Sequence, residues 1–355
     1  MELLVDIKKN LPGFTLNVHF KTKENTLGLL GESGCGKSMT LKCIAGLVKP
    51  DRGRIVLNNR VLFDSEKGIS LPIQERKIGF LFQNYALFPH MTVEQNVGYA
   101  LKGYPSAEKD KIVSYYLEMM GICSLKKNYP HQLSGGQQQR TALARALAVN
   151  PEVLLLDEPF SALDNHLRSV MLKNMTETLS KYKGITIFVT HNMEEAYTLC
   201  ENLAVISKGY IVSEGNKEEL FTNPSSVASA VVTGCKNISK VNILSNNMIE
   251  APDWNCKIET SKEIDPSVTH AGIRAHYIQL ASDDGENIYN AWPSHTSETP
   301  FRRFVYLSLN NKPKTSTDYN LLWDISKEEW DDLKDLPLPW KIQLKEDFLI
   351  LIKEK

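Results

Sequence analysis

The sequence predicts an α/β domain followed by a smaller β-rich domain, and three observations carry that prediction. Val153–Leu156 and Ile185–Val189 are apolar runs of strand length, each after a helical stretch. That order is typical of buried parallel strands joined by helical crossovers. Of the 20 glycines, 18 lie at or before Gly234, and only Gly272 and Gly285 follow. All five tryptophans (Trp254, Trp292, Trp323, Trp330, Trp340) come after that point. The two composition shifts place a boundary around residues 232–240, giving domains of residues 1–234 and 235–355. A length of 355 residues fits two domains at about 150 residues each.

The elements follow in chain order. Phe14, Leu16, Val18 and Phe20 alternate with polar residues, as in a half-buried strand. Thr26–Leu30 is a short apolar run that stops at a glycine loop, and a helix is expected from Lys37 to about Ala45. Residues from about Ser106 to Gly121 read as an amphipathic helix, and a second helical run ends near Val149. In the second domain, Trp340–Leu344 and Phe348–Ile352 read as short strands, with Pro337 and Pro339 punctuating the entry.

Composition excludes some functions. Hydrophobic residues make up 42% and charged residues 23%, ordinary for a globular chain able to bury a large core. Lys+Arg is 41 and Asp+Glu is 42, so the net charge of −1 argues against a chain built to coat nucleic acid or an anionic membrane. No run approaches 18 apolar residues, so no bilayer span is expected. Met1–Asp6 lacks the basic-then-apolar order of a secretory signal. The six cysteines are scattered without a CxxC pair, which reads as free thiols in a cytosolic chain.

Gly31-Glu32-Ser33-Gly34-Cys35-Gly36-Lys37-Ser38 matches the phosphate-loop pattern GxxxxGK[ST] between a strand and a helix. Glycines let backbone N–H groups converge on phosphate oxygens without Cβ clashes. The helix that follows begins with unpaired N–H groups and a positive dipole end. Lys37 is expected to neutralise the β- and γ-phosphates, and the Ser38 hydroxyl to bind Mg²⁺. Cys35 is either a small residue tolerated in the loop or a redox-sensitive thiol facing phosphate.

Val153–Leu156 runs into Asp157 and Glu158, at the strand end where open α/β sheets bind ligands. Asp157 suits the Mg²⁺ shell, and Glu158 suits orientation or deprotonation of an attacking water. Leu133-Ser134-Gly135-Gly136-Gln137 precedes a helix, with Ser134 as its N-cap. This is either a second anion site or an ordinary capped helix.

The order of these motifs resembles the nucleotide-binding subunit of an ATP-binding-cassette (ABC) transporter. The resemblance rests on the phosphate loop, Gln83 after Phe82, LSGGQ at Leu133–Gln137, Asp157-Glu158, Ser161-Ala162-Leu163-Asp164, and His191 after Thr190. Together these cover roughly the first 230 residues. It implies a P-loop NTPase cassette with a helical subdomain, binding ATP and Mg²⁺. Glu158, His191 and Gln83 would be catalytic, and Gln83 would join Ser38 and Asp157 around the metal. Gly31, Ser33, Gly34, Cys35, Gly36, Lys37, Ser38 and Met39 would hold the phosphates, with Phe14 stacking on adenine. Ser134, Gly135, Gly136 and Gln137 would contact the γ-phosphate of ATP held by a second copy, with Asp164 at the dimer seam.

Residues 82–93 resemble the importer branch of the family, and residues 57–69 and 13–18 are similar to molybdate importer subunits. The resemblance therefore implies an oxyanion cargo, molybdate or tungstate, with sulfate, iron or polyamine as alternatives. It implies a homodimer at the cytoplasmic face of the membrane, integral permease subunits, and an indirect link to an extracytoplasmic substrate-binding protein. Ala271–His276 resembles the lead into an oligosaccharide-binding-like (OB-like) accessory domain. The reading from another class, a soluble ABC ATPase acting on nucleic acid or ribosomes, usually needs two cassettes or a long insertion. This chain has one phosphate loop, and no nucleic-acid partner is expected.

Overall fold

The apolar runs become adjacent parallel strands of one 11-stranded sheet in a computed structural model that describes residues 1–23, 26–161, 163–281 and 285–354. The chain divides into two compact units, Met1–Lys217 and Glu218–Lys355.

The first unit opens with strands β1 (Glu2–Leu11), β2 (Phe14–Lys23) and β3 (Thr26–Leu30), then helix α1 (Lys37–Ala45). Strands β4 (Arg52–Leu57), β5 (Arg60–Asp64), β6 (Ile69–Ser70) and β7 (Ile78–Leu81) follow. Three helices, α2 (Val93–Val97), α3 (Ser106–Met119) and α4 (Gly135–Ala148), intervene before β8 (Val153–Asp157). The unit closes with α5 (Asn165–Lys181), β9 (Ile185–Thr190), α6 (Met193–Leu199), β10 (Asn202–Ser207) and β11 (Tyr210–Asn216).

The strand order is β6-β5-β4-β1-β2-β11-β10-β3-β9-β8-β7. From β10 to β7 every pairing is parallel, and from β6 to β2 every pairing is antiparallel. The sequence pattern explains the division. In β8 and β9 every residue is buried, as expected for parallel strands covered on both faces. In β2, Leu16, Val18 and Phe20 are buried and alternate with exposed neighbours. The parallel strands place the phosphate loop after β3, the carboxylates after β8 and His191 after β9, at one end of three adjacent strands.

Helix α1 stops at Gly46, whose φ of 81° is open to glycine, with its N–H bonded to the Cys43 and Lys42 carbonyls. Arg76, 1% exposed, reinforces that end by donating to the carbonyls of Cys43 (3.1 Å), Ile44 (2.8 Å) and Leu71 (2.9 Å). The guanidinium thus meets carbonyls of the helix's last turn, the Cys43 carbonyl shared with the Gly46 N–H, and carries positive charge to the helix's negative end.

The second unit starts earlier than the composition boundary at residue 234. Helices α7 (Lys217–Thr222) and α8 (Val227–Val232) precede its first strand. Arg274 ties them in, donating to the Thr233 carbonyl at 2.5 Å and to the Phe221 carbonyl. Ala230 on α8 packs with Cys235, Ile350 and Ile352. Glycine content therefore changes at one place and packing at another.

The strands of this unit are β12 (Asn237–Lys240), β13 (Asn242–Ser245), β14 (Met248–Ala251), β15 (Cys256–Glu259), β16 (His270–Ile273) and β17 (Gln279–Leu280). They continue with β18 (Ile288–Glu298), β19 (Arg302–Leu309), β20 (Leu321–Ser326), β21 (Trp340–Gln343) and β22 (Leu349–Ile352), with α9 (Lys327–Leu333) after β20. They form antiparallel sheets β12-β16-β22, β13-β14-β15 and β17-β21-β18-β19-β20. Trp254, Trp323 and Trp340 lie in one shared core with Ile249, Val305 and Ile342. The tryptophans thus supply much of the apolar area that holds this unit together.

Candidate functional site

The phosphate loop leaves β3 at Gly31, where a Cβ would lie 2.2 Å from the Ile206 carbonyl oxygen. Glycine is therefore required there by close backbone approach. Gly36 has φ 113° and caps α1, and a Cβ on it would meet Leu16 Cδ1 at 2.6 Å and Phe14 Cζ at 3.2 Å. Ser33 and Gly34 are exposed on the loop. Lys37 is only 4% exposed, and its Nζ donates to the carbonyls of Gly31 (2.7 Å) and Glu32 (2.8 Å). The ammonium thus curls under the loop and gives the cradle its positive charge. Met39 turns its side chain to the core, leaving its backbone N–H in the first turn of α1 free to face an anion. Phe14 is half-buried, its ring beside Gly36 at the end of the loop.

Cys35 is 7% exposed, and burial pushes its thiol above the ordinary range, against the opposing pull of Lys37. Its sulfur packs under the loop, where a Cβ on Gly31 would meet it at 2.8 Å.

The first turn of α1 meets the end of β8 through one bond: Ser38 Oγ donates to Asp157 Oδ1 at 2.7 Å. Asp157 is 5% exposed. Burial raises its carboxyl above the usual range, the Ser38 hydrogen bond pulls it down, and neighbouring Glu158 pushes it up. A buried carboxylate paired with a hydroxyl is an oxygen donor set that suits a hard divalent cation. Such a cation would also relieve the burial cost of the charge.

Glu158 turns away from Asp157. Its φ is +43°, a left-handed value that costs a non-glycine residue about 1–2 kcal/mol. Its N–H is held by the Val189 carbonyl at 3.0 Å, and its own carbonyl accepts from Ser161 Oγ at 2.9 Å. The turn aims the carboxylate at two partners on one oxygen: Gln83 Nε2 at 3.4 Å and His191 Nδ1 at 3.1 Å from Oε2. Four sequence-predicted residues, Gln83, Asp157, Glu158 and His191, thus join Ser38 and Lys37 at one end of the sheet.

Ser134 caps α4 with a capping box: the Gln137 N–H donates to Ser134 Oγ at 3.4 Å, and the Ser134 N–H to Gln137 Oε1 at 2.9 Å. A Cβ on Gly135 or Gly136 would make only ordinary contact, at 3.4 Å, with Leu163 or Met171 of the α5 region. The structure thus sets this turn beside Leu163 and Met171. Asp164 caps α5 by accepting the Leu167 N–H at 2.9 Å. Ala162 lies outside the described residues.

Residues with no sequence signature hold these groups in place. Thr190 Oγ1 donates to Glu195 Oε2 at 2.6 Å and accepts the Asn192 N–H at 3.0 Å, fixing the backbone on either side of His191. Arg145 donates to the carbonyls of Tyr85 and Ala86, both at 2.7 Å, in a segment where both residues have positive φ. Asn96, fully buried, accepts the Phe88 N–H and donates to the carbonyls of Phe88, Met91 and Thr92. Together these two side chains hold the chain that follows Gln83.

This fold and site define a nucleotide-binding α/β domain: a phosphate loop, an acidic strand end, and a helical insertion with a glycine-flanked helix start. Residues 15–161 match the family model for ABC transporters. A probable sulfate/thiosulfate import ATP-binding protein from Chlorella vulgaris is 42% identical over 239 residues, covering 66% of this chain and 99% of the relative. The chain belongs to the ABC transporter family, among its ATP-binding proteins.

The molybdate/tungstate import ATP-binding protein of Archaeoglobus fulgidus is 41% identical over 222 residues, 62% of this chain and 90% of that protein. An Fe(3+) ions import ATP-binding protein of Haemophilus influenzae is 41% identical over 236 residues, 66% of this chain. The match spans 65% of that relative's length. A solved ATP-binding cassette, dimeric in a post-hydrolysis state with ADP and Pi, has a TM-score of 0.52 at 29% identity, covering 61% of this chain and 99% of that one. Among the described residues no helix is long and apolar enough to cross a membrane.

Proposed function

We propose that the chain hydrolyses ATP to drive an ABC importer, working as a pair with a second copy of itself against integral permease subunits. The observation that carries this reading is the convergence of Gln83 and His191 on one oxygen of Glu158, next to the Ser38–Asp157 pair. Such an arrangement can hold a water in line with a phosphate bound at the loop. Glu158 takes the proton from that water as its oxygen bonds to the γ-phosphorus and the bond to ADP breaks. His191 and Gln83 keep the carboxylate oriented. Lys37 and the N–H groups at the start of α1 receive the charge of the phosphates.

Ser38 and Asp157 would hold Mg²⁺, which when bound supplies charge neutralisation across the β- and γ-phosphates. Gln83 would join that shell. The Ser134–Gln137 turn would meet the γ-phosphate of the second copy, a role supported by the dimeric state of the solved relative. A γ-phosphate faced by Lys37 on one side and a helix start on the other is better neutralised than by either alone.

For the cargo, we infer an oxyanion, molybdate or tungstate. Support comes from relatives named for molybdate/tungstate and sulfate/thiosulfate import, set against an iron-import relative of equal identity. The chain would then sit at the cytoplasmic face of the membrane, linked through the permease to an extracytoplasmic binding protein. The deciding experiment is uptake into membranes containing the native permease, comparing molybdate, tungstate, sulfate and Fe³⁺ with and without ATP. ATP-dependent accumulation of molybdate and tungstate is expected; accumulation of iron alone overturns the oxyanion reading.

A further inference from the structure

Two charged side chains outside the hydrolytic group meet next to the segment that carries His191. Glu195, in the first turn of α6, is 5% exposed, and Arg168, in the first turn of α5, is half-buried. Glu195 Oε1 lies 3.6 Å from Arg168 Nε, an ion-pair distance. That Nε is itself buried and has no hydrogen-bond partner among the described residues. Charge rather than a hydrogen bond therefore joins the two groups.

Each member of the pair reaches a different segment. The other oxygen of Glu195 accepts from Thr190 Oγ1 at 2.6 Å, and Thr190 immediately precedes His191. Because Thr190 Oγ1 also accepts the Asn192 N–H, the carboxylate, the hydroxyl and the backbone around His191 form one bonded unit. Arg168 Nη2 donates to the Leu163 carbonyl at 3.4 Å, next to Asp164, and the Leu163 side chain lies beside Gly135 of the Ser134 turn. The ion pair thus ties the start of α5 to the end of β9.

Stability is a weak reason to keep such a pair. A buried ion pair replaced by apolar side chains often leaves a fold as stable or more so, whereas removing one partner strands a buried charge. Burial raises the Glu195 carboxyl above its ordinary range, and the Thr190 hydrogen bond and the Arg168 charge pull it down. His191 pulls it down as well, and Glu158 pushes it up, so the carboxylate lies within electrostatic reach of both members of the hydrolytic pair.

We propose that Arg168 and Glu195 are positioning residues for ATP hydrolysis: their ion pair anchors Thr190, and through it the place of His191 against Glu158, to the start of α5. The inference rests on the reading of Glu158 as base and His191 as its partner, and it extends that site to two side chains that touch neither nucleotide nor water.

The test measures phosphate release at saturating MgATP, KM for ATP and thermal melting in the full chain. The variants are Arg168→Met and Glu195→Gln, each alone and with His191→Ala. Arg168→Met keeps the apolar stem, and Glu195→Gln keeps an acceptor for Thr190 while removing the charge. Each alone should lower kcat about tenfold, the low end for loss of one interaction with a charged group. KM should stay within about twofold, because the phosphate loop is untouched. In the His191→Ala background neither change should lower kcat further by more than about twofold, since the residue they act through is gone. If Arg168→Met does not fold, Glu195→Gln decides the question, because it leaves no buried carboxylate unpaired. Unchanged kcat in the folded variants overturns the proposal even where they melt lower, and so does a loss that persists in full without His191. Failure of the underlying reading has a different signature, normal turnover of His191→Ala and Glu158→Gln themselves, and that result overturns both.

Discussion

Gln83 and His191 both end on the same oxygen of Glu158, so they should act through that carboxylate rather than beside it. A double-mutant cycle on Glu158→Gln and His191→Ala tests this directly. The Glu158→Gln amide keeps an acceptor oxygen for its neighbours and changes no backbone angle, so the fold should persist. Loss of a general base lowers turnover by about 10²–10⁴, or about 2.7–5.5 kcal/mol of barrier. His191→Ala removes one hydrogen bond to a charged group, about 1.5–3 kcal/mol, which corresponds to about 10- to 150-fold in rate. Independent residues would multiply, so the pair would lose up to about 10⁶. Residues acting through one carboxylate should not, and the double variant should match Glu158→Gln alone within about threefold. The assay is phosphate release at saturating ATP and Mg²⁺, with nucleotide binding measured separately to confirm an intact loop. Multiplicative losses would refute the shared-oxygen mechanism, and near-normal turnover of Glu158→Gln would remove that residue from the chemistry.

Further predictions concern the groups around it. Asp157 has a folded-state carboxyl raised mainly by burial, so the folded chain binds more protons than the unfolded one. Its contribution to stability therefore falls as pH rises from about 3.8 through the folded value. Asp157→Asn should make the ligand-free chain more stable than wild type above that window and equal to it below, while losing stabilisation by MgATP; thermal melts across pH would show it. Gly36→Ala puts a Cβ 2.6 Å from Leu16 Cδ1 at a φ of 113°. Left-handed strain of about 1–2 kcal/mol and overpacking of about 1–3 kcal/mol should lower the urea midpoint, and an unchanged midpoint would contradict the loop geometry. Asn96→Leu removes the partner of the Phe88 N–H and the side-chain donor to the Phe88, Met91 and Thr92 carbonyls, of which Phe88 and Thr92 keep a backbone donor. It should cost about 1–3 kcal/mol and speed protease cleavage between residues 84 and 92 before the rest of the chain is touched.

The sequence motifs were readable because each is a short run in which residue type follows directly from local need. Gly31 and Gly36 are glycines because a backbone or side-chain atom occupies the space of a Cβ, and Val153–Leu156 is apolar because the strand is covered on both faces. Arg145, Asn96 and Arg76 left no such trace. Arg145 and Arg76 act by hydrogen bonds to carbonyls distant in sequence, and Asn96 by bonds to carbonyls four to eight residues back in an irregular loop; neither kind of bond imposes a spacing or periodicity on the chain. The positive φ of Tyr85 and Ala86 was equally hidden, because neither residue type signals a left-handed turn. The composition shift at residue 234 missed the division at 217, since α7 and α8 join the second unit through Arg274 and a few apolar contacts. The Ser134 turn was legible as a capped helix, whereas its position beside Leu163 and Met171 depends on tertiary packing.

The two adjacent carboxylates show how one strand end can supply two kinds of chemistry. Asp157 still belongs to β8, so its side chain is buried and meets Ser38, where a fixed anion is useful only with a cation to offset it. At Glu158 the chain leaves the strand through a left-handed residue, which reverses the direction of the next side chain. That turn separates a carboxylate suited to holding metal from one suited to moving a proton. The strain of φ +43° is offset by bonds to both neighbours of the peptide unit, Val189 through the N–H and Ser161 at the carbonyl. The bond to Val189 comes from β9, the strand that also delivers His191. One strand therefore enforces the turn and positions the imidazole that the turned carboxylate meets, so a shift of β9 would disturb both together. Any change that loosens the Thr190–Glu195 bond should then affect the Glu158 carboxylate without touching it.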